Sequence, residues 1–155
     1  MRPRLLVLGI GNTLYGDDGV GPLVVRNLSR RLEMTGVDFI DGGTGGPGLL
    51  FCLEGYTHLV VVDAIDAGLA PGTICRFTAD GHNTCRTALS MHQAGVGDLL
   101  AAARLTGCLP RTVIIGVQAG DLAPGSSLSP QVAARLTGLE NYLLEEIKMI
   151  LRDGQ

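Results

Sequence analysis

Four carboxylates and one imidazole in this chain fall where they could do metal chemistry. Asp17 and Asp18 follow the first predicted strand, Asp41 follows the second, Asp63 closes the third, and His92 opens the helix before the last strand. In an open α/β sheet, sites gather beyond the carboxyl ends of the parallel strands, so these side chains can converge on one rim. Glycines among them let backbones approach closely. Carboxylate oxygens with an imidazole nitrogen suit a borderline divalent cation such as nickel or zinc. Three protein ligands would leave positions open for water or a substrate group. A helix start disfavours protonated His92 and keeps its ring available as a ligand.

Each of these residues also has a plainer use. Asp18 could cap a helix as readily as bind metal. Asp41, before Gly42 and Gly43, could cap a turn, which is the commoner use of such a residue. A lone His92 would more often be structural. Asp63 is harder to dismiss, because a carboxylate closing the run Val60-Val61-Val62 must be placed at the sheet edge.

Other motifs are weaker. Gly9-Ile10-Gly11 begins like a dinucleotide fingerprint, but Asn12-Thr13-Leu14 follows where a third glycine is needed. There is no phosphate-binding P-loop motif and no GxSxG nucleophile elbow. His58 starts a strand at the opposite edge, and His82 falls in a loop. No cysteine sits beside a histidine in a way that suggests a catalytic pair.

The elements that must position the acidic residues follow from periodicity. Leu5 to Ile10 and Leu59 to Val62 are unbroken apolar runs, the pattern of strands buried on both faces. Val37 to Ile40 and Val113 to Val117 read as strands, and Thr73 to Phe77 as an extra strand at an antiparallel edge. Val20, Val24 and Leu28 recur at helical spacing. A short helix is expected near Leu49 to Leu53, and a longer one from about Met91 to Arg104 with a stop at Gly107. Ser129 as N-cap and Pro130 in the first turn predict one long terminal helix along Val132, Leu136, Leu139, Leu143, Ile147 and Ile150. Asp80 to Arg86 reads as a loop. Strands alternating with helices predict an α/β fold with three layers: a twisted, mainly parallel five-stranded sheet with helices on both faces. Residues 1–155 read as a single domain.

Composition agrees. Of the 155 residues, 46% are hydrophobic and only 17% charged, below the roughly 25% charged of typical soluble domains. That excess of apolar residues suits a doubly covered sheet. A net charge of −3 with scattered basic residues argues against nucleic-acid binding. No apolar run approaches the roughly 18 residues of a membrane span, and Leu5 to Leu8 is too short for a signal-peptide core. Cys52, Cys75, Cys85 and Cys108 form no CxxC pair and are expected as free, buried thiols in a reducing cytoplasm.

Taken together, four segments resemble the signatures of the maturation endopeptidases of nickel–iron hydrogenases. Leu8-Gly9-Ile10-Gly11-Asn12 with Gly16-Asp17-Asp18-Gly19-Val20-Gly21-Pro22 is similar to their N-terminal signature. Asp41-Gly42-Gly43-Thr44, Val62-Asp63-Ala64 and Ser90-Met91-His92-Gln93 are similar to the second, third and fourth, in the same order. The resemblance implies a cytoplasmic hydrolase that removes the C-terminal peptide of a hydrogenase large-subunit precursor once nickel is installed. It implies Asp18, Asp63 and His92 as metal ligands, with nickel arriving in the substrate. Asp41 would be the catalytic candidate, as a general base or as an acidic residue supporting the site. Some members carry Glu at the position of Asp18. A peptidase with its own resident metal and a non-cutting, nickel-dependent checkpoint protein are the alternatives.

Overall fold

The computed structural model of the chain describes residues 2–78, 83–85, 95–125 and 127–154. The apolar runs become β1 (Leu5–Ile10), β2 (Val37–Gly43), β3 (His58–Ile65), β4 (Ile74–Thr78) and β5 (Arg111–Gln118). They form one sheet in the order β2-β1-β3-β5-β4. All neighbours are parallel except β4, which lies antiparallel to β5 at the edge, as predicted. The helices are α1 (Val20–Arg31), α2 (Val96–Thr106), α3 (Pro130–Ala133) and α4 (Leu136–Asp153), with 3-10 segments at Gly16–Gly19 and Gly46–Leu53.

Two apolar layers sandwich the sheet. Leu5, Val7, Val60, Val62 and Ile115 pack with α1 and α4. Leu6, Leu8, Leu59, Val61 and Ile114 pack with α2 and the second 3-10 segment. Because side chains alternate along a strand, burial on both faces leaves no polar positions in β1. That is why the sequence showed a run there and not an alternation.

From β1 the chain moves to β2 on one side, then crosses back to place β3 on the other. The switch point of the sheet therefore lies between the carboxyl ends of β1 and β3. The start of α1 presses directly on it. A Cβ on Gly9 would lie 2.5 Å from the carbonyl oxygen of Gly21, and a Cβ on Gly21 would strike the carbonyl oxygens of Val62 and Ile10. Here backbone meets backbone, and only glycine permits it.

Several boundaries differ from the sequence reading. β2 and β3 each continue beyond the expected end, so Asp41 and Asp63 lie inside strands, in register with Gly9 and Gly116. Hydrogen bonding to neighbouring strands carries these strands past the point where apolar character stops. The expected helix at Leu49 to Leu53 is a 3-10 segment that starts earlier, at Gly46. α2 is described from Val96 and closes on a left-handed Gly107, at the predicted stop; residues 91–94 lie outside the described residues.

The long terminal helix is divided. At its break the Arg135 amide donates to Val132, a three-residue spacing that tightens the turn between α3 and α4. Ser129 holds the N-cap position, but its hydroxyl makes no cap bond and donates to Asp17 instead. Cys75 and Cys85, expected as free thiols, form a disulfide with Cα atoms 5.6 Å apart. The chain folds back beside β4, where the Thr84 amide donates to the Arg76 carbonyl and brings the two cysteines together. Cys52 and Cys108 are free, as expected, but half-buried and not fully buried.

The contact at Gly21 makes one prediction. Gly21→Ala forces α1 away from the ends of β1 and β3 and destabilises the fold by about 3 kcal/mol. In a calorimetric melt this lowers Tm by roughly 6–12 °C. An unchanged Tm would mean the helix start yields without cost.

Candidate functional site

A cleft of about 340 Å³ opens at the switch point. Ile10 and Gly11 from the end of β1, Asp63 from β3 and Gly43-Thr44 from the end of β2 line it. Tyr15 and Asp18 come from the first 3-10 segment and its approach, Gly95 and Val96 from the start of α2, and Leu122 from the chain after β5. Six parts of the chain thus contribute to one concavity at the strand ends.

Asp18 is half-buried, and its Oδ2 accepts a 2.7 Å hydrogen bond from the Asn12 amide. Gly19, not Asp18, is the N-cap of α1, and no side chain caps that helix. The capping use weighed for Asp18 is therefore not the one adopted.

Asp63 shares a strand face with Leu59, Val61 and Ile65, so it occupies a core position at the cleft end of an apolar row. It is only 5% exposed. Burial is the main cause that pushes its pKa up, to about 8, and the nearby Asp18 carboxylate adds to the rise, against a lowering hydrogen bond from the Ala64 amide. Two carboxylates are thus brought together where water screens them poorly. That donor set suits a divalent cation, whose charge would offset both the burial and the repulsion. Among the described residues, no group of three or more His, Cys, Asp and Glu could hold an ion.

Asp41 is placed differently. Its Oδ1 accepts from the Gly43 amide at 3.0 Å, and its Oδ2 lies 3.5 Å from the Arg26 guanidinium of α1. It does not line the cleft with Asp18 and Asp63. The turn-capping use is realised, and the contact with Arg26 ties the end of β2 to α1. His92 lies outside the described residues; Gly95, three positions further along the chain, is in the cleft wall. His58 stands at the amino end of β3 with Nδ1 2.8 Å from the Thr57 hydroxyl, far from this rim, as expected.

Asp17 and Asp18 were not separable in the sequence; in the structure they part. Asp17 is fully buried and turned away from the cleft. Its Oδ2 accepts from the Gly120 and Asp121 amides and the Ser129 hydroxyl, and its Oδ1 from the Ser129 amide, at 2.7–2.8 Å. Burial alone would raise its pKa, but the hydrogen bonds from Asp121, Ser129 and Gly120 outweigh burial and hold it below the ordinary value. These partners are more than a hundred positions away in the chain, so no local motif announces them.

The fold and cleft define a class: an α/β protein with an acidic site at the switch point of a doubly covered, mainly parallel sheet. The model of the hydrogenase maturation protease family matches residues 22–146. The chain is 40% identical over 148 residues to the hydrogenase expression/formation protein HupD of Thiocapsa roseopersicina, covering 92% of this chain and 67% of that protein. It is 35% identical over 155 residues to the hydrogenase 2 maturation protease of Escherichia coli (strain K12), covering 97% and 92%. Among solved structures, the hydrogenase maturating endopeptidase HybD from E. coli matches with a TM-score of 0.79 at 31% identity, covering 94% of this chain and 93% of that one. The chain belongs to the hydrogenase maturation protease family.

The raised pKa of Asp63 gives a signed prediction. An acid with a raised folded-state pKa supports the fold while protonated; that support is complete below about pH 4 and is lost as pH rises through about 8. In metal-free protein, Asp63→Asn should therefore be more stable than the parent at pH 8–9, by about 2 kcal/mol. The advantage should shrink as pH falls towards 4. Chemical denaturation across that range checks it; an advantage that grows on acidification would contradict the assignment.

Proposed function

We propose that this chain removes the C-terminal extension of a nickel–iron hydrogenase large-subunit precursor after nickel insertion, and that the nickel in the substrate is what it recognises. Membership of the family supports the peptidase activity and the hydrogenase substrate. The observation that carries the nickel reading is the pairing of Asp18 with the buried Asp63 in one cleft. Such a pair gains from a cation that arrives in the cleft, and the resemblance adds His92 as the third ligand.

In this reading nickel is cargo of the substrate. Asp18, Asp63 and His92 hold the substrate by its metal, which fixes the neighbouring C-terminal segment against the cleft and converts binding into local concentration. Nickel also brings Lewis acidity to the site. The apolar cleft residues Ile10, Val96 and Leu122 would limit water around the bound segment. Asp41 acts here by bracing the end of β2 through Arg26 and Gly43, in preference to acting as general base. We place the reaction in the cytoplasm. No helix among the described residues is long and apolar enough to cross a membrane, although a disulfide such as Cys75–Cys85 is more usual in oxidising compartments.

Intact-mass measurement of large-subunit precursors, nickel-loaded and nickel-free, tests this directly. Loss of a C-terminal peptide from the nickel-loaded form alone is expected. Asp18→Asn, Asp63→Asn and His92→Ala should each slow that loss by about a hundredfold or more while remaining folded. Equal cutting of nickel-free precursor would remove metal recognition from the account. Stable association without any change in mass would replace the peptidase with a binding-only checkpoint.

A further inference from the structure

We propose that Asp17 is a positioning residue that aims the Asp18 carboxylate into the cleft and at the same time fixes the cleft wall that carries Leu122. The role rests on the functional reading of Asp18 given above.

The 3-10 segment Gly16–Gly19 is four residues long, has no side-chain cap, and begins at a left-handed Gly16 with φ 53°. So short a turn has little intrinsic definition. Its orientation must come from tertiary contacts, and Asp17 supplies them. Four hydrogen bonds from Gly120, Asp121 and Ser129 close on one carboxylate with no exposed surface. Backbone bonds reinforce them: the Asp17 amide donates to Asp121 at 2.8 Å, the Gly16 amide to Gly125 at 2.7 Å, and the Gly125 amide to Leu14 at 2.8 Å.

Successive side chains on a 3-10 turn point about 120° apart. With Asp17 locked inward, its neighbour Asp18 is turned out of that pocket, where it meets the Asn12 amide and lines the cleft. The partner segment is itself part of the site, because Leu122 lies between the residues that bind Asp17 and lines the same cleft. One buried carboxylate therefore sets both a ligand and a wall. Ser129 completes the device by giving its hydroxyl to Asp17 when it could have capped its own helix.

A double-mutant cycle separates positioning from mere stabilisation. Cleavage of nickel-loaded precursor is measured well below Tm for the parent, Asp17→Asn, Asp18→Asn and the double variant. Asp17→Asn should lower kcat/KM by about 10- to 100-fold, and should cost nothing further in the Asp18→Asn background, while lowering Tm in both. Ser129→Ala should show a smaller loss, and Ser129→Thr, which keeps the hydroxyl, should recover it. Hydrogen exchange at the Asn12 amide, which Asp18 holds, should speed up in Asp17→Asn and Ser129→Ala while the Leu6 amide stays protected.

Independent losses from Asp17→Asn and Asp18→Asn would overturn the positioning role. So would a folded Asp17→Asn or Ser129→Ala with parental Asn12 exchange. An Asp18→Asn variant that cuts at the parental rate would instead overturn the functional reading of Asp18, and the role of Asp17 with it. If Asp17→Asn does not fold, the Ser129 pair carries the same test by rate and by exchange.

Discussion

The fold must keep one carboxylate in the core with a second close enough to repel it, an arrangement that costs stability. Asp63 occupies a position where the pattern of β3 calls for an apolar side chain, and Asp18 faces it across the cleft. Left to itself, such a pair would separate or admit water. That it stays together follows from constraints elsewhere. β3 is held on both sides by parallel neighbours, and Gly9 and Gly21 allow α1 to lie directly on the strand ends. The backbone that carries Asp63 cannot shift without disturbing both neighbouring strands.

The other buried acids show a different solution. Glu140 on α4 is 2.7 Å from Arg31 of α1, and Glu146 forms a two-point contact with Arg76 of β4 at 2.8 and 2.9 Å. These pairs fasten α4 to its neighbours and balance charge where they do so. Asp17 is satisfied by amides and a hydroxyl. These three acids are held by cationic or neutral donors, whereas in the cleft the Asp18 carboxylate adds to the rise in the pKa of Asp63. Carboxylates with pKa values shifted in this way gather at functional sites.

Much of this was legible in the chain. The unbroken apolar runs of β1 and β3 gave their double burial, and the alternation of strands with helices gave the layers. Strand-end logic brought Asp17, Asp18, Asp41 and Asp63 to one rim, and the family resemblance singled out Asp18 and Asp63, the two that line the cleft. What stayed hidden depended on distant partners. Asp41 and Asp63 read as residues beyond their strands because hydrogen-bond pairing, not composition, sets where a strand stops. The tight turn at Arg135 lies inside an uninterrupted helical pattern. Ser129 looked like a cap because the competing acceptor, Asp17, is 112 positions away. The Cys75–Cys85 bond needed the return of residues 83–85 beside β4, which no spacing rule encodes.

The central claim is that Asp18 and Asp63 take a divalent cation between them. Anomalous diffraction at the nickel edge from crystals soaked in a nickel salt tests it most directly. The account predicts a peak in the cleft about 2.0–2.2 Å from an oxygen of each carboxylate, absent from crystals of Asp63→Asn. A peak at His58 or elsewhere on the surface, with the cleft empty, would contradict it.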